Sequence, residues 1–241
     1  MLLSEATTTA GIKRYTLTEQ IVEWLSSRII TGEYPPNAPL TEVDLAETLG
    51  CSRSPLREAL RVLAQEGLVE LVPGKGATVS PFEPRRAAEF YDTRALLESA
   101  AARLAVPAMT PAQRERLWHI LHELRETAEK GDVAAYQDIN WSFHTELYSF
   151  CPNSTIVDLV RMIWRRTLRY GYLLRGDPWR LRASVERKTR LMTALEAGDA
   201  DAVADQITKI ILGGKGDVME ALTLGATDPY QYWIKKREAL S

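Results

Sequence analysis

The sequence predicts a mainly α protein in two parts: a small helical unit carrying one β-hairpin, then an all-α antiparallel helical bundle. Three observations lead there. Apolar residues recur at three- and four-residue spacing through most of the 241 residues. One β-rich pair of segments, Leu68-Val69-Glu70-Leu71-Val72 and Ala77-Thr78-Val79, flanks the tight-turn sequence Pro73-Gly74-Lys75-Gly76. Beyond Pro81 and Pro84 no segment reads as a strand, while helix starts and stops recur at short intervals.

Residues 1–14 are small, polar and threonine-rich, which predicts a flexible arm. Leu17, Ile21, Leu25 and Ile29 keep helical spacing and give a first helix closed by Gly32. Tyr34-Pro35-Pro36-Asn37-Ala38-Pro39 is incompatible with helix and predicts an extended connector. Thr41 is placed to cap a second helix with Glu42 and Asp44 in its first turn and Leu45, Ala46 and Leu49 on its buried side. Gly50 closes that helix, as a residue that accepts positive φ should.

A third helix follows at once. Ser52 is placed to cap it, its hydroxyl accepting the N–H of Ser54, and Pro55 in the first turn loses no hydrogen bond. Leu56, Ala59, Leu60 and Leu63 fall on one face; Arg53, Ser54, Arg57 and Arg61 fall on another. Gly67 ends it, and the hairpin comes next. Helix, helix, turn, helix, hairpin is the order of a winged helix-turn-helix. In that arrangement the second helix of the pair enters the major groove of DNA and the hairpin tip lies along the backbone or minor groove.

Helical periods then cover residues 84–105, 110–130, 132–150, 154–174, 178–197 and 199–212. Thr110-Pro111-Ala112-Gln113 combines a capping box with proline at the first helical position. Gly131-Asp132 and Gly198-Asp199 each join a helix stop to the next N-cap. Short loops between such helices mean antiparallel neighbours. Gly213-Gly214-Lys215-Gly216 is expected to break the last helix. The expected organisation is an arm over 1–14, a winged helix-turn-helix over 15–80, a helical domain over 81–222 and a tail over 223–241.

The formal net charge of −2 argues against indiscriminate nucleic-acid binding, so any DNA affinity must come from the local cluster Arg53, Arg57, Arg61 and Lys75. No apolar run approaches the roughly 20 residues of a membrane span, and the N-terminus lacks a secretory pattern. The two cysteines, Cys51 and Cys151, sit apart without metal-ligand spacing, which points to a reducing cytoplasm.

In the helical domain, polar residues interrupt apolar stripes. Arg94 lies within the face of Phe90, Leu97, Ala101 and Leu104. Asn140 and His144 share a face with Tyr136, Phe143 and Leu147. Lys188 is surrounded by Leu181, Val185, Leu191, Met192 and Leu195, and Arg166 falls on a stripe with Leu159, Ile163 and Tyr170. Each has a purely structural explanation: Arg94 can pair with Glu98 one turn on, His144 can be a satisfied core histidine, and Lys188 can snorkel. Together, on separate helices of one bundle, Arg94, His144 and Lys188 predict an interior cavity of positive character. A carboxylate suits it, held bidentately by Arg94.

The chain resembles GntR-family bacterial transcription regulators of the FadR-like subfamily, whose C-terminal helical domain is called FCD. The resemblance rests on the run from Leu45 to Leu60, then Leu63, Glu66-Gly67-Leu68-Val69 and Gly74 to Val79. In the second part it rests on Arg94-Ala95-Leu96-Leu97-Glu98, Phe143-His144, Cys151-Pro152-Asn153 and Ala194-Leu195-Glu196-Ala197-Gly198-Asp199. It implies a homodimer on a pseudo-palindromic operator in double-stranded DNA, with a small carboxylate effector in the bundle changing DNA affinity. The matching DNA-contact positions are Ser52, Arg53, Ser54 and Arg57, with Lys75 and Gly76 at the wing tip. Val43 stands where some members carry a further arginine.

Many FCD domains hold a divalent metal through one acidic residue and three histidines. The matching positions here are Asn140, His144, Lys188 and Ile210, of which only the histidine remains. No bound transition metal and no cofactor are expected. Instead the Lys188 ammonium is expected to take over the cation's role, holding the effector carboxylate with Arg94 while Asn140 and His144 supply hydrogen bonds. Arg166 is a further candidate. The competing readings are a metal-sensing repressor, and an enzyme using His144 and Lys188 as acid and base. The second lacks a nucleophile motif, a phosphate loop and a metal set.

Overall fold

The computed structural model describes residues 16–72, 76–174 and 178–224, and the chain divides into two units between Pro81 and Phe82. In the first unit α1 (Leu17–Ile30) opens with a reciprocal capping box. The Thr16 hydroxyl accepts the Glu19 N–H at 3.2 Å, and the Glu19 carboxylate accepts the Thr16 N–H at 2.7 Å. Its Ile21, Leu25 and Ile29 are buried as the spacing requires. They share a core with Leu45 of α2 (Glu42–Leu49) and with Leu56, Ala59, Leu60 and Leu63 of α3 (Arg53–Gln65).

Between α2 and α3 the backbone turns at Gly50, with φ +59° and ψ 34°, a left-handed conformation that would strain a side chain. The expected capping bonds are absent. Ser52 holds the N-cap position with extended backbone, yet its hydroxyl makes no capping bond. At the start of α2 the Thr41 hydroxyl donates to the Asp44 carboxylate instead of accepting an N–H.

The hairpin consists of β2 (Val69–Val72) and β3 (Gly76–Val79), antiparallel with Val72 opposite Gly76. Gly76 belongs to the strand rather than to the turn, at φ +89°. The proline-rich connector ends in a strand the sequence reading missed: β1 (Pro39–Leu40) pairs with β3, giving the order β1-β3-β2. Proline suits it, because an edge strand leaves that position free of a ladder donor.

The second unit is helical throughout its described residues: α4 (Pro84–Ala105), a 3₁₀ turn over Val106–Ala108, α5 (Pro111–Lys130), α6 (Val133–Ser149), α7 (Ser154–Tyr172), α8 (Pro178–Glu196) and α9 (Ala200–Thr223). Thr110 and Gln113 form the expected capping box, and Asp132, Asn153 and Asp199 each accept an N–H at the start of their helix. α4 packs most extensively on α9 and also against α6 and α7, while α5 lies against α6 and α8.

Two expectations fail here. The buried face of α4 is Ala87, Tyr91, Arg94, Ala95, Glu98, Ala101, Ala102 and Ala105, whereas Leu104 is exposed and Phe90 and Leu97 are only half-buried. Small residues at the α4–α9 seam let the two backbones approach, and the larger apolar side chains lie to its sides. Nor does the glycine run break the last helix: α9 passes through Gly213, Gly214 and Gly216 to Thr223. At Gly214 a Cβ would meet the Tyr91 ring at 3.5 Å, so the glycine sits where α4 comes close. The unassigned tail beyond Leu224 lies outside the described residues.

Candidate functional site

Two sets of residues carry the chemistry, one in each unit. On α3, Ser52, Arg53, Ser54, Arg57 and Arg61 are all exposed, opposite the buried leucine face. Arg57 is not loose. Its Nε donates to both carboxylate oxygens of Glu42 on α2, at 2.9 and 2.7 Å. Glu42 thereby fixes the guanidinium from behind and leaves its terminal nitrogens to point elsewhere. Gly76 opens β3; Lys75 lies outside the described residues.

In the second unit a cavity runs between α4, α6, α7, α8 and α9. It is lined by Arg94, Asn140, His144, Lys188 and Ile210 together, and also by Tyr91, Tyr136, Trp164, Thr167, Arg180, Arg187 and Asp217. The space open to water-sized groups is about 170 Å³. That is close to the ~150 Å³ that holds a benzene-sized guest in an apolar cavity. Arg166 is not part of it; it lies half-buried, with its guanidinium 5.8 Å from the Phe90 ring.

The cavity wall contains a buried polar chain. Arg94 Nε donates to Glu98 Oε1 at 2.6 Å, and Nη1 donates to Thr167 Oγ1 at 3.1 Å. Tyr148 OH donates to the other Glu98 oxygen at 2.6 Å, and His144 Nδ1 lies 3.1 Å from Tyr148 OH. The structural explanation for Arg94 therefore applies in part: Glu98, fully buried, neutralises it. With Nε taken, Arg94 cannot offer the Nε side of its fork to a carboxylate and can engage one only at its Nη end. Its guanidinium also stacks on Trp164 and Tyr91 at 4.9 and 5.3 Å.

Burial, with Lys188 and Arg94 nearby, holds the His144 pKa well below the usual histidine range, so the ring is neutral. Tyr148 has one proton and gives it to Glu98. The His144–Tyr148 bond then requires the Nδ1–H tautomer, which leaves Nε2 as an acceptor. Burial and Glu98 also push the Tyr148 phenol well above its usual range.

Lys188 is only 1% exposed, and its Nζ donates to Ser184 Oγ at 3.0 Å. Burial, assisted by Arg187, lowers its pKa to about 7, although Glu98 pulls the other way. It makes no ion pair among the described residues. Arg180, by contrast, is paired with Asp217.

The donor set does not suit a divalent metal. An imidazole, a carboxamide, an ammonium and an alkyl chain offer one strong ligand and one competing positive charge. The described residues include no cluster of three histidine, cysteine or carboxylate groups able to hold one.

Glu98 and Tyr148 were legible in principle, each four residues after a polar residue on its own helix. Arg180 and Arg187 were not, because they stand off the apolar stripe of α8 and reach the cavity from its flank.

Residues 17–79 match the family described as bacterial regulatory proteins, gntR family, and residues 89–212 match the FCD domain. The HTH-type transcriptional regulator McbR of Escherichia coli (strain K12) is 30% identical over 206 residues, covering 84% of this chain and 93% of that protein. A probable D-xylose utilization operon transcriptional repressor of Paenarthrobacter nicotinovorans is 27% identical over 202 residues, covering 83% and 88%. Among solved structures, E. coli McbR/YncC superposes with a TM-score of 0.72 at 29% identity, covering 84% of this chain and 97% of that one. A transcriptional regulator of Rhodococcus sp. RHA1, at TM-score 0.70 and 23% identity over 85% and 98%, shares the fold.

Proposed function

The chain belongs to the gntR family of bacterial regulatory proteins, with an FCD domain as its second unit, and from that premise we propose which residues bind its DNA and its effector. It is a DNA-binding transcription regulator and not an enzyme. α3 enters the major groove. Arg57, braced by Glu42, reads a base with its terminal nitrogens, while Arg53, Ser54 and the Ser52 hydroxyl engage base edges or phosphate. The uncapped Ser52 hydroxyl and the free N–H groups at the α3 N-terminus suit a phosphate oxygen. Lys75 and Gly76 of the wing meet the backbone alongside.

The operator is pseudo-palindromic and the regulator a homodimer acting in the cytoplasm, with no helix among its described residues long and apolar enough to cross a membrane. Its second unit supplies the seam. α4 exposes Leu96 and Leu104, and α7, packed beside it, exposes Leu159 and Met162.

The effector is a small carboxylate in the cavity of the helical unit. The observation that carries this is Lys188: an almost wholly buried ammonium, facing an open cavity, with a hydroxyl as its hydrogen-bond partner and no carboxylate. A buried charge without a counter-charge is costly, and an anion in the cavity removes that cost. Lys188 leads, the Nη end of Arg94 assists, and Asn140 and the neutral His144 hydrogen-bond the rest of the molecule.

A thermal-shift screen tests this, since a ligand that binds only the native state raises the melting temperature by mass action. Stabilisation by a small carboxylic acid, lost in Lys188→Met, is expected. Stabilisation by zinc or nickel, reversed by chelator, would overturn it.

A further inference from the structure

One anionic group leaves the cavity's charges unbalanced. Among the described residues four cations line it: Arg94, Arg180, Arg187 and Lys188. Glu98 neutralises Arg94, and both of its oxygens are already occupied, by Arg94 and by Tyr148. Asp217 neutralises Arg180. Among the described residues Arg187 and Lys188 remain without a carboxylate partner. The Arg187 Nε is buried with no hydrogen-bond partner, and so is the indole N–H of Trp164 in the same wall.

These donors stand close together. The Arg187 charge is, after burial, the largest influence depressing Lys188, and it also acts on Tyr136 across the cavity wall. Opposite Arg187, α9 presents Gly213, where a Cβ would come within 3.9 Å of the guanidinium Nη1. The arginine therefore lies against α9 at ordinary contact distance. Tyr136, whose phenol burial pushes up to about 12, stays protonated beside it as a potential donor.

We infer that the effector is a compact dianion with two separated anionic groups, one seated at Lys188 and the Nη end of Arg94, the second at Arg187. This rests on the carboxylate reading of the same cavity. Two uncompensated cations in one cavity of about 170 Å³ call for two negative charges on one short-chain molecule. Arg187 takes the second group through its guanidinium fork. The second group is a carboxylate or a phosphate, since either matches the fork.

Isothermal titration of the full chain in chloride-free buffer tests this. The straight-chain diacids from malonate to adipate are compared with monoacids of equal chain length, and 3-phosphoglycerate serves as the phosphate-bearing arm. At least one dianion is expected to bind tenfold or more tighter than its monoanionic counterpart. Arg187→Gln should abolish that advantage, bringing the ratio of dianion to monoacid affinity to within twofold of one, while Arg187→Lys, which keeps a charge but no fork, should retain part of it. Melting curves establish that each variant is folded.

Which arm binds identifies the second group as carboxylate or phosphate. Monoacids that bind as tightly as dianions, or an Arg187→Gln variant that weakens both classes equally, would overturn the second anchor and leave the carboxylate reading standing. Binding by neither class would overturn both.

Discussion

Lys188 is where the proposed effector binding and stability pull against each other. In an unfolded chain its ammonium titrates near 10.5; buried here it titrates at about 7. Between those values the unfolded state binds the extra proton, so stability rises with pH across roughly 7 to 10.5 and is level below. Lys188→Met should therefore be more stable than the native protein at pH 7, by on the order of 1–4 kcal/mol, the range seen when buried ionic groups are replaced by well-packed apolar side chains. The difference should close as pH approaches 10. A variant that melts lower at pH 7 would mean that Lys188 already has a counter-charge in the empty protein. Effector affinity should run the other way and weaken above pH 7, as the ammonium that holds the anion is lost.

Arg57 poses the same question on the DNA side. Arg57→Ala should cost about 1–3 kcal/mol on the operator and less on random DNA if the side chain reads a guanine. Glu42→Ala should cost less, about 0.5–1 kcal/mol, because it removes only an exposed brace. Equal weakening on both DNAs, measured by fluorescence anisotropy, would mark Arg57 as a phosphate contact. At this scale the interruption of a periodic stripe by a polar residue was informative for Arg94, Asn140, His144 and Lys188, all of which line the cavity. Partners such as Thr167 and Asp217 were hidden, because they lie on other helices and spacing within one helix says nothing of them. Arg166 shows the opposite error: it had the stripe position, but α7 turns it toward Phe90 rather than into the cavity.

Among the elements, helix starts were legible and close approaches were not. The Thr110 capping box and the aspartates at 132 and 199 act locally, so the sequence contains the whole cause. The glycines of α9 do not. Glycine stops a helix when φ turns positive, as it does at Gly50 and Gly131. Inside a packed helix it can instead mark a place where another element comes near, as Gly214 does against Tyr91. The strand β1 escaped for a related reason: two residues carry no periodicity, and only the partner strand defines them. Because α9 is continuous and a Cβ at Gly216 would meet open space, Gly216→Ala should stabilise the protein by about 0.5–1 kcal/mol in chemical denaturation. A loss of stability would indicate that the helix breaks there after all.

For the whole molecule, two units of different character divide the work: one exposes arginines on a helix set by its turn, the other buries cations around a cavity. A dimer would join two copies of the reading helix to one operator. Leu96, at 73% exposure the most open of the large apolar side chains among the described residues, is the place to test it. Leu96→Asp should shift the mass in light scattering from dimer to monomer and weaken operator binding. An unchanged dimer would remove the α4–α7 face as the seam.

The most direct test of the account joins the two units in one experiment. Operator affinity is measured by anisotropy, with and without the acid that stabilises the protein, in native chain and in Lys188→Met. The acid should change native affinity by about 5-fold or more, within the usual range of coupling between sites. Lys188→Met should bind the operator like acid-free native protein and should not respond. A Lys188→Met variant that responds as the native protein does would contradict the proposed role of Lys188.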